Sequence, residues 1–278
     1  MSYYPVDVEK AVRKVCKRRR LSPRTAETYI YCINRFLKWC KKDLGKISKK
    51  DIRLFLEYLS DKGRSGNTMN TYYMAIRFLF EEVLNRKMWV NIRYSKVPKK
   101  LPTVLSKEEV RRLINSIKNW KHRLIIEFLY SSGLRVSELL NVRVKDLELN
   151  KGFGYVRNGK GGKDRLIILS KIVGEKIKNL IELENLGEKD LLFKSNRNKK
   201  YSVRSIQQII KKASKLSKIN KKVHPHTLRH SFATHLIENG YDISQVQALL
   251  GHKSPETTLI YTHISSPKMI NVKSPLDE

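Results

Sequence analysis

Between Ala26 and Cys40 the apolar residues Ala26, Tyr29, Ile30, Ile33, Phe36, Leu37 and Cys40 recur at helical spacing. Residues so spaced share one side only in a helix, so the stretch must lay an apolar stripe against neighbours. A lone helix of this length is marginal in water, which makes those neighbours a requirement. The flanking sequence supplies them. Ser22 and Pro23 mark the helix start, a capping residue followed by a first-turn proline. Ser48 and Asp51 stand in capping-box spacing ahead of Ile52, Phe55 and Leu59. After the turn "DKGRSGN", the residues Tyr72, Ile76, Leu79, Phe80 and Val83 repeat the pattern, and a run from Val6 to about Arg19 precedes them all. The pattern predicts a small bundle of four helices over residues 1–95.

The periodicity stops at "RYSKVPKKLPTVLSKEE", where Pro98, Pro102 and several lysines read as an extended linker over 96–103. A second domain, 104–278, opens with Ser106 and Glu109 capping a helix that carries Val110, Leu113, Ile114 and Ile117. Its clearest strand signal is "GFGYVRNGKGGKDRLIIL", two β-rich runs around a glycine-rich turn, predicting an antiparallel hairpin with a long loop. Helices are expected at roughly 171–186, 203–217, 226–239 and 243–250, the last two closed by Gly240 and Gly251. The expected fold is mainly α: a four-helix N-terminal domain, then an α+β domain with a small antiparallel hairpin or sheet.

Charge narrows the partners. Lys and Arg number 58 against 26 Asp and Glu, a formal net charge of +32. Such an excess repels itself in the folded state, and a polyanion relieves it by exchanging condensed counterions for fixed cations. Nucleic acid is the expected partner. Three cysteines (Cys16, Cys32, Cys40) without a CxxC pair argue against a disulfide framework or a zinc finger. The absence of an uninterrupted apolar run of about eighteen residues argues against a membrane span, so a cytoplasmic, soluble protein is expected.

Several short stretches could carry chemistry. In "HPHTLRHSFATHL", His226 and Arg229 lie three apart at a helix start and share a face. The arginine fork suits phosphate oxygens, and the histidine can take or give a proton near neutrality. A solvated helix face is the plain alternative. A metal held by His226, His230 and His235 is another, although no cysteine or carboxylate beside them completes a shell. Arg135 lies in "SSGLRVSEL", after a glycine that ends a helix. Lys160 occupies the turn "NGKGGKD", with Lys163 as a second candidate, on a backbone whose glycines permit close approach to another molecule. In "LGHKSPETTLIYTH", His252 precedes Tyr261 by nine residues, with Ser254 and Pro255 starting a short helix between them.

The order of these signatures is what carries weight. An Arg in "GLRxSEL", a lysine in a β-turn, HxxR, "LGH" and then a tyrosine resemble the tyrosine recombinases of the phage-integrase type, most of all the Xer-type site-specific recombinases. The resemblance implies a core-binding, SAM-like N-terminal domain and a catalytic domain. It implies that Arg135, Arg229 and His252 bind the scissile phosphate and that His226 accepts the nucleophile's proton. Lys160 would protonate the leaving 5′ oxygen, and Tyr261 would attack to form a 3′-phosphotyrosine. No cofactor, metal or ATP is implied, because the phosphotyrosine itself conserves the bond for rejoining. The implied partners are double-stranded DNA at a specific site, further copies of the chain in a tetramer joined by the C-terminal segment after His263, and a regulating DNA translocase. Chromosome-dimer resolution is the expected role. A mobile-element integrase, a type IB topoisomerase and a non-catalytic DNA-binding protein stand as alternatives.

Overall fold

The computed structural model describes residues 7–86, 101–157, 164–195 and 199–251. The chain divides into two compact units, residues 1–99 and 100–278. The expected linker lies mostly outside the described residues, as do Lys160, Lys163, His252, Tyr261 and the segment after His263.

The first unit holds α1 (Val8–Arg18), α2 (Pro23–Cys40), α3 (Lys49–Asp61) and α4 (Gly66–Phe78). Local chemistry sets the ends. Ser22 Oγ accepts from the Thr25 N–H at 3.0 Å, and α2 stops where Lys41 turns left-handed at φ 51°. At the head of α3, Asp51 accepts from Lys42 Nζ at 2.7 Å and from the Ser48 N–H at 2.8 Å. Those bonds, the Lys42 one foremost, outweigh the burial that opposes them and pull the Asp51 carboxyl down to about 2. The α2 stripe is buried at Ile30, Ile33 and Phe36, in one core with Ile52, Phe55, Leu59 and Ile76. Phe36 and Tyr72 both meet Phe55 edge-on, with centroids 5.1 and 5.5 Å away. Beyond Phe78 the helix widens into a π turn, Leu79–Val83, in which the Leu84 N–H reaches back to the Leu79 carbonyl. Leu79 and Phe80 of this turn are both fully buried in the core.

The second unit runs α5 (Lys107–Asn115), α6 (Trp120–Ser132), α7 (Val136–Leu139), β1 (Leu147–Glu148), β2 (Phe153–Val156), β3 (Arg165–Ile168), α8 (Lys171–Leu183), α9 (Val203–Leu216), α10 (Pro225–Glu238) and α11 (Ile243–Leu250). The expected hairpin is β2–β3, with Val156 opposite Arg165 and Phe153 opposite Ile168. A third strand, β1, pairs along β2 and makes an antiparallel sheet in the order β1-β2-β3. Two residues are too short to show alternation, so the sequence carries no sign of β1. Helix α8 ends three residues short of the expected 186, as Asn185 turns left-handed at φ 46°.

Helix α10 is the axle of this unit. Ten of its fourteen residues are buried, and it packs against α6, α9 and α11. Buried Ser231 finds partners inside: its Oγ accepts from the Leu105 N–H at 2.9 Å and donates to the Thr227 carbonyl. No described helix is long and apolar enough to cross a membrane.

Candidate active site

The site grows from the carboxyl end of α6. Gly133 closes that helix at φ 61°, and a Cβ there would stand 2.4 Å from Phe232 Cδ1 of α10. Both facts require glycine, one through backbone strain and the other through the close seat of α10. Two residues on, extended Arg135 precedes α7, and Glu138 in the first turn of α7 folds back on it. Glu138 Oε2 accepts from the Arg135 N–H at 2.8 Å, and Oε1 accepts from Arg135 Nη1 at 2.7 Å. The backbone and the guanidinium of Arg135 are thus fixed by one carboxylate.

That carboxylate is also bound from the sheet. Arg165, the first residue of β3, donates from Nη2 to Glu138 Oε2 at 2.6 Å. Burial alone would raise the Glu138 carboxyl. The Arg165 charge, the Arg135 N–H and the Arg135 side chain outweigh it and hold the group below its ordinary value. Glu138 is therefore an anion at neutral pH, shared by two guanidinium groups.

Arg229 of α10 is only 3% exposed, and helix-end carbonyls take part of its donor set. Its Nη1 donates to the Gly133 carbonyl at 2.6 Å and its Nη2 to the Leu250 carbonyl at 2.5 Å. These oxygens stand at the carboxyl ends of α6 and α11, where backbone acceptors lack helical partners and the helix dipole is negative. One buried cation thereby satisfies two helix ends. Arg165 Nη1 takes the adjacent Leu249 carbonyl at 2.6 Å, so the last turn of α11 rests on two arginines.

One turn before Arg229, His226 lies exposed on α10. Crowding by protein, followed by the charges of His224, Arg229 and Arg135, pushes its imidazole below the ordinary histidine value. The influence of both arginines on this ring places Arg135, His226 and Arg229 in one electrostatic neighbourhood, although Arg135 and Arg229 come from distant parts of the chain. The ring is neutral at neutral pH and so able to accept a proton. Of the histidines weighed as metal ligands, His235 pairs through Nδ1 with Tyr130 Oη at 2.8 Å, and among the described residues no group of three His, Cys, Asp or Glu side chains is placed to hold a metal ion.

Glu138 and Arg165 were not singled out from the sequence as site residues, although both stand in the motifs. Glu138 carried a signal, since an acid three residues after an extended position is how a short helix caps its own start. Arg165 carried little, because a strand-edge arginine beside a glycine-rich loop reads as solvated. The loop that contains Lys160 leaves and rejoins the described chain at Arg157 and Asp164, which are paired at 2.8 Å.

What assembles here is a cationic cluster: three guanidinium groups bonded to one carboxylate and to three helix-end carbonyls, beside a neutral imidazole. It suits an anion that gains charge as it reacts. Comparison with known proteins identifies the family. The Phage integrase family pattern matches residues 103–267, and the phage integrase N-terminal SAM-like domain matches residues 9–90. Tyrosine recombinase XerA of Thermococcus kodakarensis is 37% identical over 250 residues, covering 88% of this chain and 86% of the relative. XerA of Pyrococcus furiosus is 39% identical over 251 residues, covering 88% and 85%. A crystal structure of XerH bound to a palindromic difH substrate, in a post-cleavage complex, is 27% identical with a TM-score of 0.73, covering 97% of this chain and 85% of that one. A lambda integrase dimer on a core site, at 21% identity and TM-score 0.73, shares the fold. On the strength of both matched domains and of relatives similar over most of their length, the chain belongs to the phage integrase family of tyrosine recombinases.

Proposed function

We propose that the protein binds double-stranded DNA at a specific site and exchanges strands there through a 3′-phosphotyrosine, with chromosome-dimer resolution in the cytoplasm as its role. The observation that carries this reading is the bond from Arg229 to Gly133, two residues before Arg135. It ties the Arg229 guanidinium to the segment that carries Arg135, and both charges act on the His226 ring, which supports reading the three as the set an anionic phosphodiester requires. Kinship to Xer recombinases favours the chromosomal role over that of a mobile element.

In this reading Arg135, Arg229 and His252 bind the non-bridging oxygens of the scissile phosphate. The Tyr261 oxygen attacks phosphorus while His226 takes the phenolic proton. The bond from phosphorus to the 5′ oxygen breaks, and Lys160 delivers a proton to that oxygen. Rejoining is the reverse, with a 5′ hydroxyl from the partner strand displacing the tyrosine. Donors that bind better as charge builds on the equatorial oxygens accelerate both steps, and a phenol ionises far more readily than an alcohol. A tetramer on two sites, linked by the segment after His263, brings the partner strand within reach, and a DNA translocase sets its timing.

Trapping tests the reading. A library of nicked duplexes of random sequence is incubated with the protein, and covalent complexes are recovered in denaturant and digested. The attached peptide is expected to contain Tyr261, and Tyr261→Phe is expected to bind DNA without attaching. An adduct that persists in Tyr261→Phe, or none with the parent protein, would refute the proposal.

A further inference from the structure

Three segments of the catalytic unit meet on Arg165. Its Nη2 pairs with Glu138 Oε2 at 2.6 Å, and its Nη1 holds the Leu249 carbonyl at 2.6 Å. Its Cδ lies 2.6 Å from where a Cβ on Gly251 would stand. The side chain is 9% exposed, and its Nε–H is buried without a hydrogen-bond partner among the described residues. An arginine held only for stability would gain by turning that donor to an acceptor or to water. Here the guanidinium is oriented by the two groups it joins, at the expense of its third donor.

Those two groups are the ones whose spacing matters. Glu138 fixes Arg135 by backbone and side chain at once. The last turn of α11, also gripped by Arg229 at Leu250, is where the chain leaves toward His252. We propose that Arg165 is a positioning residue for strand cleavage: it ties the carboxylate that orients Arg135 to the carboxyl end of α11, so that both sides of the phosphate pocket keep one spacing. This rests on the recombinase reading above. Arg165 itself touches no substrate in this scheme. It acts through Glu138 and Leu249, and its planar fork is what lets one side chain hold both. A lysine at 165 keeps the charge but places one ammonium on one partner at a time.

The test compares the parent protein with Arg165→Lys, Glu138→Gln and their double variant. The probe is a nicked suicide duplex taken from the random library by covalent capture with the parent. Melting temperature, equilibrium DNA binding and the single-turnover rate of covalent attachment at saturating DNA are measured. Arg165→Lys should melt somewhat below the parent, for the buried acceptor its single ammonium leaves unbonded, bind DNA as the parent does, and attach about 10²-fold more slowly at a temperature where it is fully folded, the scale of loss for a misplaced reacting group. The double variant should be no slower than the slower single one, because both changes cut one linkage. An Arg165→Lys protein that attaches at the parental rate overturns the proposal, as do losses that multiply in the double variant. Should Arg165→Lys fail to fold, Arg165→Met with Glu138→Gln removes both charges of the pair together and takes its place. That variant, folded and slow, supports the proposal; folded and fast, it overturns it. A parent protein that attaches to no duplex refutes the recombinase reading and the proposal with it, whereas an active parent beside unimpaired variants refutes the proposal alone.

Discussion

Arg229 and Gly133 lie 96 positions apart and are joined by a 2.6 Å hydrogen bond that seats a buried guanidinium on the carboxyl end of α6. The bond does two jobs. It satisfies a helix-end acceptor that burial has cut off from water, and it brings the Arg229 guanidinium to the backbone two residues from Arg135.

Replacing Arg229 should therefore affect stability and rate separately. Arg229→Ala leaves the Gly133 and Leu250 carbonyls buried without these donors, at a cost of about 2 kcal/mol. Arg229→Lys, with one ammonium for two acceptors, should recover part of that stability. Neither should recover the rate of covalent attachment, which loses on the order of 10²-fold to 10³-fold with one well-placed donor. Calorimetry and single-turnover attachment check this; a lysine variant with the parental rate contradicts the bidentate role.

Gly133 offers a test of the packing beneath the pocket. Gly133 and Gly63 have nearly the same backbone, φ 61° and 64°, but nothing lies within 4 Å of a Cβ at Gly63, while Phe232 Cδ1 lies 2.4 Å from one at Gly133. Gly63→Ala should cost about 1 kcal/mol for the left-handed conformation alone. Gly133→Ala should add about 1–3 kcal/mol, because an aromatic ring in a packed core must shift. Equal losses in urea melts of the two variants would show that the ring moves freely.

How much of this was legible beforehand follows from the range of each interaction. Ser22, Ser48 with Asp51, and Ser106 with Glu109 mark helix starts through bonds spanning three residues, and each cap stands where the spacing put it. The α2 stripe was equally readable, since Ile30, Ile33 and Phe36 answer to one period. Arg229 was readable as a phosphate ligand by resemblance but not as a buried residue, because the carbonyls that accept its charge belong to Gly133 and Leu250, and no short-range pattern links them. The π turn at Leu79–Val83 escaped for a related reason: the apolar residues there satisfy a helical stripe, and only packing decides whether an extra residue is inserted. Arg165 was the least visible, since its role exists only where three segments meet.

In the proposed reaction His226 sets the pH dependence of attachment. It accepts a proton only when neutral, and crowding together with the nearby His224, Arg229 and Arg135 charges pushes its titration below the ordinary histidine range. As pH falls the ring should stay active through that range and protonate below it. The low-pH limb of the attachment rate should therefore have a midpoint under 6.5, the ordinary histidine value. His224→Asn removes one of the nearby charges but keeps a side-chain acceptor for the start of α10, so its midpoint should rise. A midpoint at or above the ordinary value in the parent protein would rule out His226 as the group that titrates.

The two units should respond differently to acid. All seven histidines belong to residues 100–278, and the first unit has none. His122, His230 and His235 are each depressed, chiefly by burial, and the exposed His226 by the crowding of protein atoms and nearby charge, with His230 down to about 4 from the usual 6.5. Between those two values the unfolded chain binds protons that the folded chain refuses, so stability is full above pH 6.5 and declines as pH falls toward 4. In the first unit the strongly shifted carboxyl is Asp51, held at about 2 against an ordinary 3.8. Its contribution is present above 3.8 and is lost only as pH falls from there toward 2. Urea melts of the whole protein at pH 7 and pH 5, followed by backbone NMR resonances of each unit, should show the second unit losing stability at pH 5 while the first keeps its own. Should the first unit weaken first, or both by the same amount, buried neutral histidines are not what limits this protein in acid.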